Sequence, residues 1–327
     1  CVTHFVGMWA FALWDNDKQL LFCSRDRFGI KPFYYMEDKG SFYFASELNT
    51  LRVLPVFDGT PNKRQIARGL SLGTVGYKDE TYFKNVKQLR SAYNLVWTEG
   101  VIETTNYWDL EKVTVPANEA EAISKFKQMF EESLRLHMRS DVPIGSALSG
   151  GIDSSAIVAS IASMHKDLDY KTFTIYYSGK DAVDERPFAE QLPKNYPNLR
   201  SYYMEPSDGE IEASFEKFTT SVDIPSSSSS FYSQYFVMKL AAEHKMKVLI
   251  NGQGSDEYLV GYMHTYYRIL ADYLRKGKIG AYIKTLYQHK KEHHISAKEL
   301  ARCIVLSSLL SVLDENAFVR LELARKF

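Results

Sequence analysis

At 327 residues, with 45% hydrophobic and 24% charged side chains, the chain has the make-up of a globular protein and the length for about two domains. Its 40 basic residues balance 40 acidic ones, which excludes a strongly basic face for nucleic acid and a long acidic tail. Three widely spaced cysteines (Cys1, Cys23, Cys303) form neither a disulfide framework nor a zinc pattern and fit a reducing, cytoplasmic compartment. No signal peptide is visible, and the most apolar stretch, Cys303 to Leu313, is too short for a bilayer and carries three serines.

Residues 1 to about 105 read as β structure. Met8 to Trp14 is expected as a buried strand, closed by Asp15-Asn16-Asp17-Lys18 and paired with Gln19 to Ser24. Phe33 to Met36 and Ser41 to Ala45 flank a turn at Glu37 to Gly40, and Tyr93 to Trp97 and Val101 to Thr104 flank Glu99-Gly100. After Trp108 the period changes. Asn118, with Glu121 three residues on, predicts a helix start, and Ile123, Phe126, Phe130, Leu134 and Met138 predict one buried helical face.

From there strands and helices alternate: a strand at Val142–Leu148, a helix at Ser154–Met164 and a strand at Thr172–Tyr177. Helices at Glu210–Val222 and Phe231–His244 and a strand at Met246–Ile250 follow. That order predicts a parallel, doubly wound sheet. Ser226–Ser230 reads equally as a linker or as a loop lining a pocket. Residues 262–313 read as helical throughout, and Ala317–Phe327 as a further helix. His289, His293 and His294 on a lysine-rich helix read as a solvated face rather than a metal site.

The densest signal is Ser149-Gly150-Gly151-Ile152-Asp153-Ser154-Ser155, between a strand and a helix. Two glycines permit a sharp turn and close approach to a ligand. The serines and the first helical N–H groups favour a phosphate, and Asp153 adds a carboxylate suited to magnesium. No Gly-Lys-Ser/Thr follows, so this is not a Walker loop. A second turn, Asn251-Gly252-Gln253-Gly254-Ser255-Asp256-Glu257, follows the strand Met246–Ile250. In an open parallel sheet ligands sit beyond the carboxyl ends of the strands. Asp153 and Asp256 are therefore expected to share Mg²⁺ and the β,γ-phosphates of one nucleotide, with the backbones of Ile175 and of Asn251–Gly252 along the base and sugar.

Ser140-Asp141-Val142-Pro143-Ile144-Gly145, Leu148 through Ser155, and Gly252 through Glu257 with Gly261-Tyr262 resemble the synthetase domain of glutamine-hydrolysing asparagine synthetases. Gly7 to Asp15, Arg25-Asp26-Arg27-Phe28-Gly29-Ile30-Lys31-Pro32 and Ala45-Ser46-Glu47-Leu48 are similar to the later half of that family's glutaminase domain. The resemblance implies a partial N-terminal-nucleophile β-sandwich over 1–105, lacking its nucleophile. It also implies an adenylating α/β domain over 106–327, with added helices and a truncated end.

The implied reaction is ATP-dependent amidation of L-aspartate through a β-aspartyl adenylate, with ammonia from glutamine in the full-length protein. Catalytic roles fall to Asp153, Asp256 and Gln253. ATP-binding roles fall to Ala147, Leu148, Ser149, Gly150, Gly151, Asp153, Ser154, Ser155, Ile175, Asn251 and Gly252, and metal-binding roles to Asp153 and Asp256. Asp223-Ile224-Pro225 with Ser228 and Ser230 lies where the family shapes its amino-acid pocket. Expected partners are small molecules (L-aspartate, ATP, ammonia) and a second copy in a homodimer, with neither nucleic acid nor membrane.

Three positions depart from the family pattern. Cys1 is followed at once by the Gly-Met-Trp-Ala-Phe-Ala block, so it reads as an internal position rather than the nucleophile. Gln253 stands where many relatives carry Glu, and Gln orients by hydrogen bonding but takes no proton. Ala92 stands where a Pro-Gly turn is usual. Alternative readings are a β-lactam-forming or other amide-forming synthetase of the same adenylating chemistry, and a non-catalytic module.

Overall fold

Alternating apolar residues in the first hundred positions build two antiparallel sheets. The structure, a computed structural model, describes residues 1–72, 76, 78–111, 113–179, 184–225, 228–293 and 295–312. The helix expected over Ala317–Phe327 lies outside the described residues, as do Leu313, Ser226, Ser227 and His294. In chain order come β1 (Ala10–Asp15), β2 (Leu20–Arg25), β3 (Tyr34–Asp38), β4 (Ser41–Ala45), α1 (Leu48–Arg52), α2 (Lys63–Leu72), β5 (Lys87–Gln88), β6 (Tyr93–Thr98) and β7 (Val101–Asn106). One sheet has the order β1-β2-β6-β7 and the other β4-β3-β5. Lys39-Gly40 and Glu99-Gly100 both have positive φ, the two-residue turn whose twist matches that of paired strands.

Cys23 and Leu95 from the first sheet pack with Phe33, Tyr35 and Leu89 as one buried core. The loop between β2 and β3 is organised by Asp26, 1% exposed. Its carboxylate accepts from the backbone N–H groups of Phe28, Ile30 and Lys31 at 3.1, 3.0 and 2.9 Å. The expected buried strand Met8–Trp14 is corrected: β1 starts at Ala10, and Leu13 and Trp14 are 59% and 46% exposed. Ala10 and Ala12 face the core, while strand alternation turns Phe11 and Leu13 to the other side.

Asn118 caps α3 (Glu119–His137), its Oδ1 accepting from the Glu121 N–H at 2.9 Å. Only the end of the expected apolar stripe is covered. Leu134 is buried and Phe130 and Met138 pack beside it, but Ile123 and Phe126 are exposed because the sheet core meets only the last turns. Next come β8 (Ile144–Ala147), α4 (Ile152–Met164), β9 (Tyr170–Ile175), α5 (Arg186–Ala189), α6 (Leu192–Asn195), β10 (Leu199–Met204), α7 (Asp208–Ser221), α8 (Ser229–Glu243) and β11 (Val248–Ile250).

These four strands are all parallel, in the order β10-β9-β8-β11. Tyr170 and the α4 residues Ile157, Val158 and Ile161 fill one face of the sheet. Phe173, Leu240, Ala241 and Met246 fill the other. The chain steps outward from β8 to β10 and returns to β11 on the opposite side of β8, so the order reverses between β8 and β11.

Packing divides the chain into two compact units, Cys1–Asn251 and Gly252–Phe327. The β-rich part and the parallel sheet lie together in the first. The second holds α9 (Ser255–Leu259), α10 (Met263–Arg275), α11 (Ile279–His293) and α12 (Ala297–Val312), with Leu270, Tyr282, Leu286 and Cys303 buried among them. Among the described residues no helix is long and apolar enough to cross a membrane.

Candidate functional site

Of the residues singled out from the sequence, those in the first unit gather at the carboxyl ends of β8, β9 and β11. Leu148, 1% exposed, is pinned to β9 on both sides of its peptide: its N–H donates to Phe173 O at 2.9 Å, and its carbonyl accepts from Thr174 Oγ1 at 2.6 Å. Ser149 therefore leaves the sheet from a fixed point. Its N–H donates to Ser154 Oγ at 3.2 Å, and its hydroxyl lies 3.0 Å from the Ser154 hydroxyl and accepts from the Gly151 N–H at 3.2 Å. Ser154 Oγ donates back to Gly151 O at 3.2 Å. The serines at the two ends of the turn thus hold it closed.

Gly150 has φ +95°, and a Cβ there would stand 2.5 Å from Glu185 O. Only glycine fits, for conformation and for space. The wall it meets is α5, a feature the sequence reading missed, although Pro187 in the first turn of α5 marks a helix start. Asp184 and Arg186 pair beside this wall at 3.0 Å, and the Arg186 guanidinium lies 4.1 Å from the centre of the Tyr176 ring.

Gly151 is the N-cap of α4, and no side chain caps that helix. Its first turn presents backbone N–H donors with no helical acceptor, the arrangement that holds an anion. Asp153, half-buried, sits in this turn. Ala147 ends β8 and Ile175 ends β9, both half-buried. Asn251 follows β11, whose Ile250 pairs with Ser146, so it emerges next to β8. Hydroxyls, amides and a carboxylate are hard oxygen and N–H donors. They suit a magnesium-bound phosphate and not a soft metal. Among the described residues no three His, Cys, Asp or Glu side chains gather into a metal-holding group.

Gly252, Gln253 and Asp256 open the second unit. The Ser255 N–H donates to Gly252 O at 3.2 Å, and Ser255 is buried. Asp256 is half-buried in α9, while Gln253 is exposed. A Cβ on Gly261 would overlap the Asp256 carboxylate, and the Gly261 N–H donates to Asp256 O at 3.1 Å. Tyr262 Oη donates to Glu257 Oε1 at 3.2 Å, and that bond, ahead of burial, pushes its phenol up.

Of the residues expected along the amino-acid pocket, Asp223 Oδ1 accepts from the Asn49 N–H at 3.0 Å, and Ser228 caps α8.

Comparison with protein families matches residues 125–319 to the family described as asparagine synthase and residues 1–108 to a glutamine amidotransferase domain. A Methanocaldococcus jannaschii protein, provisionally named asparagine synthetase [glutamine-hydrolyzing] 2, is 31% identical over 84% of this chain and 53% of its own length. Asparagine synthetase [glutamine-hydrolyzing] 3 of Bacillus subtilis is 30% identical over 60% of this chain and 34% of its own. Amidase chyE of Penicillium rubens is 26% identical over 80% of this chain and 40% of its own. The chain thus spans between a third and just over half the length of these relatives. Among solved structures, an NH3-dependent NAD synthetase from Campylobacter jejuni aligns with 60% of this chain and 96% of its own, at 15% identity and a TM-score of 0.31.

Proposed function

Because the chain belongs to the asparagine synthase family, we propose that it uses ATP to activate the side-chain carboxylate of L-aspartate and passes the activated acyl group to ammonia. The carboxylate oxygen attacks the α-phosphorus, and the bond to pyrophosphate breaks. Ammonia then attacks the acyl carbon, AMP leaves and the nitrogen sheds a proton, giving L-asparagine. In the whole protein the ammonia comes from glutamine, a reading supported by the amidotransferase match over residues 1–108.

The observation that carries this reading is the closed turn Ser149–Ser155, with Gly150 pressed on α5 and the uncapped first turn of α4 behind it. Pyrophosphate leaves readily only where its charge meets oriented donors and a cation. Ser149, Gly151, Ser154 and Ser155 supply donors, and Asp153 is the carboxylate beside them for Mg²⁺. Bound Mg²⁺ neutralises phosphate charge. Leu148, Ala147, Ile175 and Asn251 shape the seat for the nucleotide through their backbones, and only the family resemblance of their turn assigns Asp256 and Gly252 to the same roles. Gln253 orients by hydrogen bonding without taking a proton.

ATP–pyrophosphate exchange dependent on L-aspartate tests the proposal. Asp153→Ala is expected to lower exchange about a hundredfold with the fold retained. Exchange by the unaltered protein that ignores L-aspartate sinks the reading. The amidase-named relative favours, in that event, the same adenylation applied to another acid.

A further inference from the structure

We infer that Asn49 and the segment Thr220–Ile224 form a joint through which the amidotransferase-like part holds the amino-acid end of the ATP site in register. Asn49 is its positioning residue. The inference rests on the function proposed above for the parallel sheet. It begins from an economy of helix ends. Asn49 lies in the first turn of α1, where a backbone N–H has no helical acceptor, and Thr220 lies in the last turn of α7, where a carbonyl has no helical donor. Asn49 serves both. Its N–H donates to Asp223 Oδ1 at 3.0 Å, and its Nδ2 donates to Thr220 O at 3.0 Å, across more than 170 residues of sequence.

Beside this polar clip, Ile224 packs against the cluster of Met36, Leu48, Leu51 and Val86, all from the first hundred residues. Leu48 and Leu51 are buried completely or nearly so, which fixes α1 as the anchor. Burial, and then the nearby Asp223 charge, push the Tyr34 phenol upward, since the carboxylate faces the β-rich part.

The far side of the joint reaches the site. Ile224 and Pro225 lead within a few residues to Ser228, which caps α8. At the start of the second turn of α8, Ser233 Oγ lies 3.0 Å from Tyr177 Oη, two residues beyond Ile175 at the end of β9. A shift of α1 is thus passed through Asn49 and Thr220 to α7, whose Phe218 ring lies 4.7 Å from that of Tyr232 in α8, and so to the start of α8 and the carboxyl end of β9. Ammonia made in one part is useful only while the activated acyl group in the other stays aligned with its exit. Asn49 touches neither reaction and holds that alignment.

The test uses the full-length protein, with pyrophosphate release measured on glutamine and on ammonium chloride. Asn49→Asp sets a second carboxylate against Asp223 and removes the donor to Thr220. It is expected to lower glutamine-supported turnover about tenfold relative to ammonium-supported turnover, with the KM for ATP unchanged. Amide hydrogen exchange across Val222–Ile224 is expected to quicken. Adding Asp223→Asn removes the like-charge repulsion and keeps an amide oxygen for the residue-49 N–H, though not the donor to Thr220 O, and is expected to bring the ratio part of the way back. An unchanged ratio, an equal loss with both nitrogen sources, or unchanged exchange overturns the joint. An unaltered protein that releases no pyrophosphate with L-aspartate on either nitrogen source overturns the functional reading instead. The hydrogen-exchange comparison then judges the joint by itself.

Discussion

Val260 has φ 65°, and no other β-branched residue among those described has a positive φ. A branched Cβ in the left-handed region crowds the backbone and costs about 1–2 kcal/mol. The strain sits at the end of α9, one residue before Gly261, whose missing side chain leaves room for the Asp256 carboxylate. We predict that Val260→Gly stabilises the protein by about 1 kcal/mol, read as a higher denaturant midpoint. A lower midpoint would show that the Val260 side chain contributes more than its backbone costs. The Asp-bearing turns were legible as turns because glycine and serine between an apolar run and a helical pattern mark a strand-to-helix connection. Val260 was not, since nothing in a valine announces a left-handed backbone. The contact between Gly150 and Glu185 was equally hidden, because it arises only when α5 folds back on a turn thirty-five residues earlier.

Among the elements, α7 carries one end of the joint and is held at its other end by a capping box. The Glu210 N–H donates to Ser207 Oγ at 3.3 Å, and the Ser207 N–H donates to Glu210 Oε2 at 3.1 Å. The Ser207 hydroxyl also donates to Oε2, at 3.0 Å, and the two bonds from Ser207 to the carboxylate hold the Glu210 carboxyl below its usual range. Ser207→Ala is expected to cost about 1 kcal/mol and to quicken hydrogen exchange in the first turn of α7. Exchange that stays slow there would mean the contact of Tyr232 Oη with Ser214 and Ile211 holds the helix unaided. Hairpins and long helices were readable because their signals are local: a Gly in a two-residue turn, an Asn three residues before a Glu. The short elements were not. At five residues α1 has too few turns to show a period, and it persists through Leu48 and Leu51 in the core. In β10, Arg200 and Ser201 interrupt the apolar pattern at a sheet edge, where only β9 pairs with it.

Across the molecule, acidic hydrogens are buried in two cores, Cys23 and Tyr35 in one and Tyr170 in the other. Burial raises the Cys23 thiol from 9.0 to about 12 and the Tyr35 and Tyr170 phenols from 10.0 to about 12, with the Ser146 hydrogen bond partly opposing the last. A folded-state pKa above the unfolded one means the native state holds its proton more tightly. The stability this contributes is complete below pH 9 and is lost as pH rises from about 9 towards 12. Denaturation midpoints are expected to fall steeply across that window, and Cys23→Ala is expected to flatten its lower part. A flat profile in the unaltered protein would contradict the burial of these groups. The parallel sheet with helices on both faces was visible in the alternation of strands and helices. The division into units at Asn251 was not, since the chain passes from β11 into Gly252 without a linker-like composition.

The closed turn at Ser149 has a consequence for whatever anion it receives. The N–H groups of Ser149 and Gly151 already have acceptors, the hydroxyls of Ser154 and Ser149. A phosphate entering this turn would displace sitting tenants, and its net gain would be the difference between two sets of hydrogen bonds. Such a seat grips no harder than that difference allows.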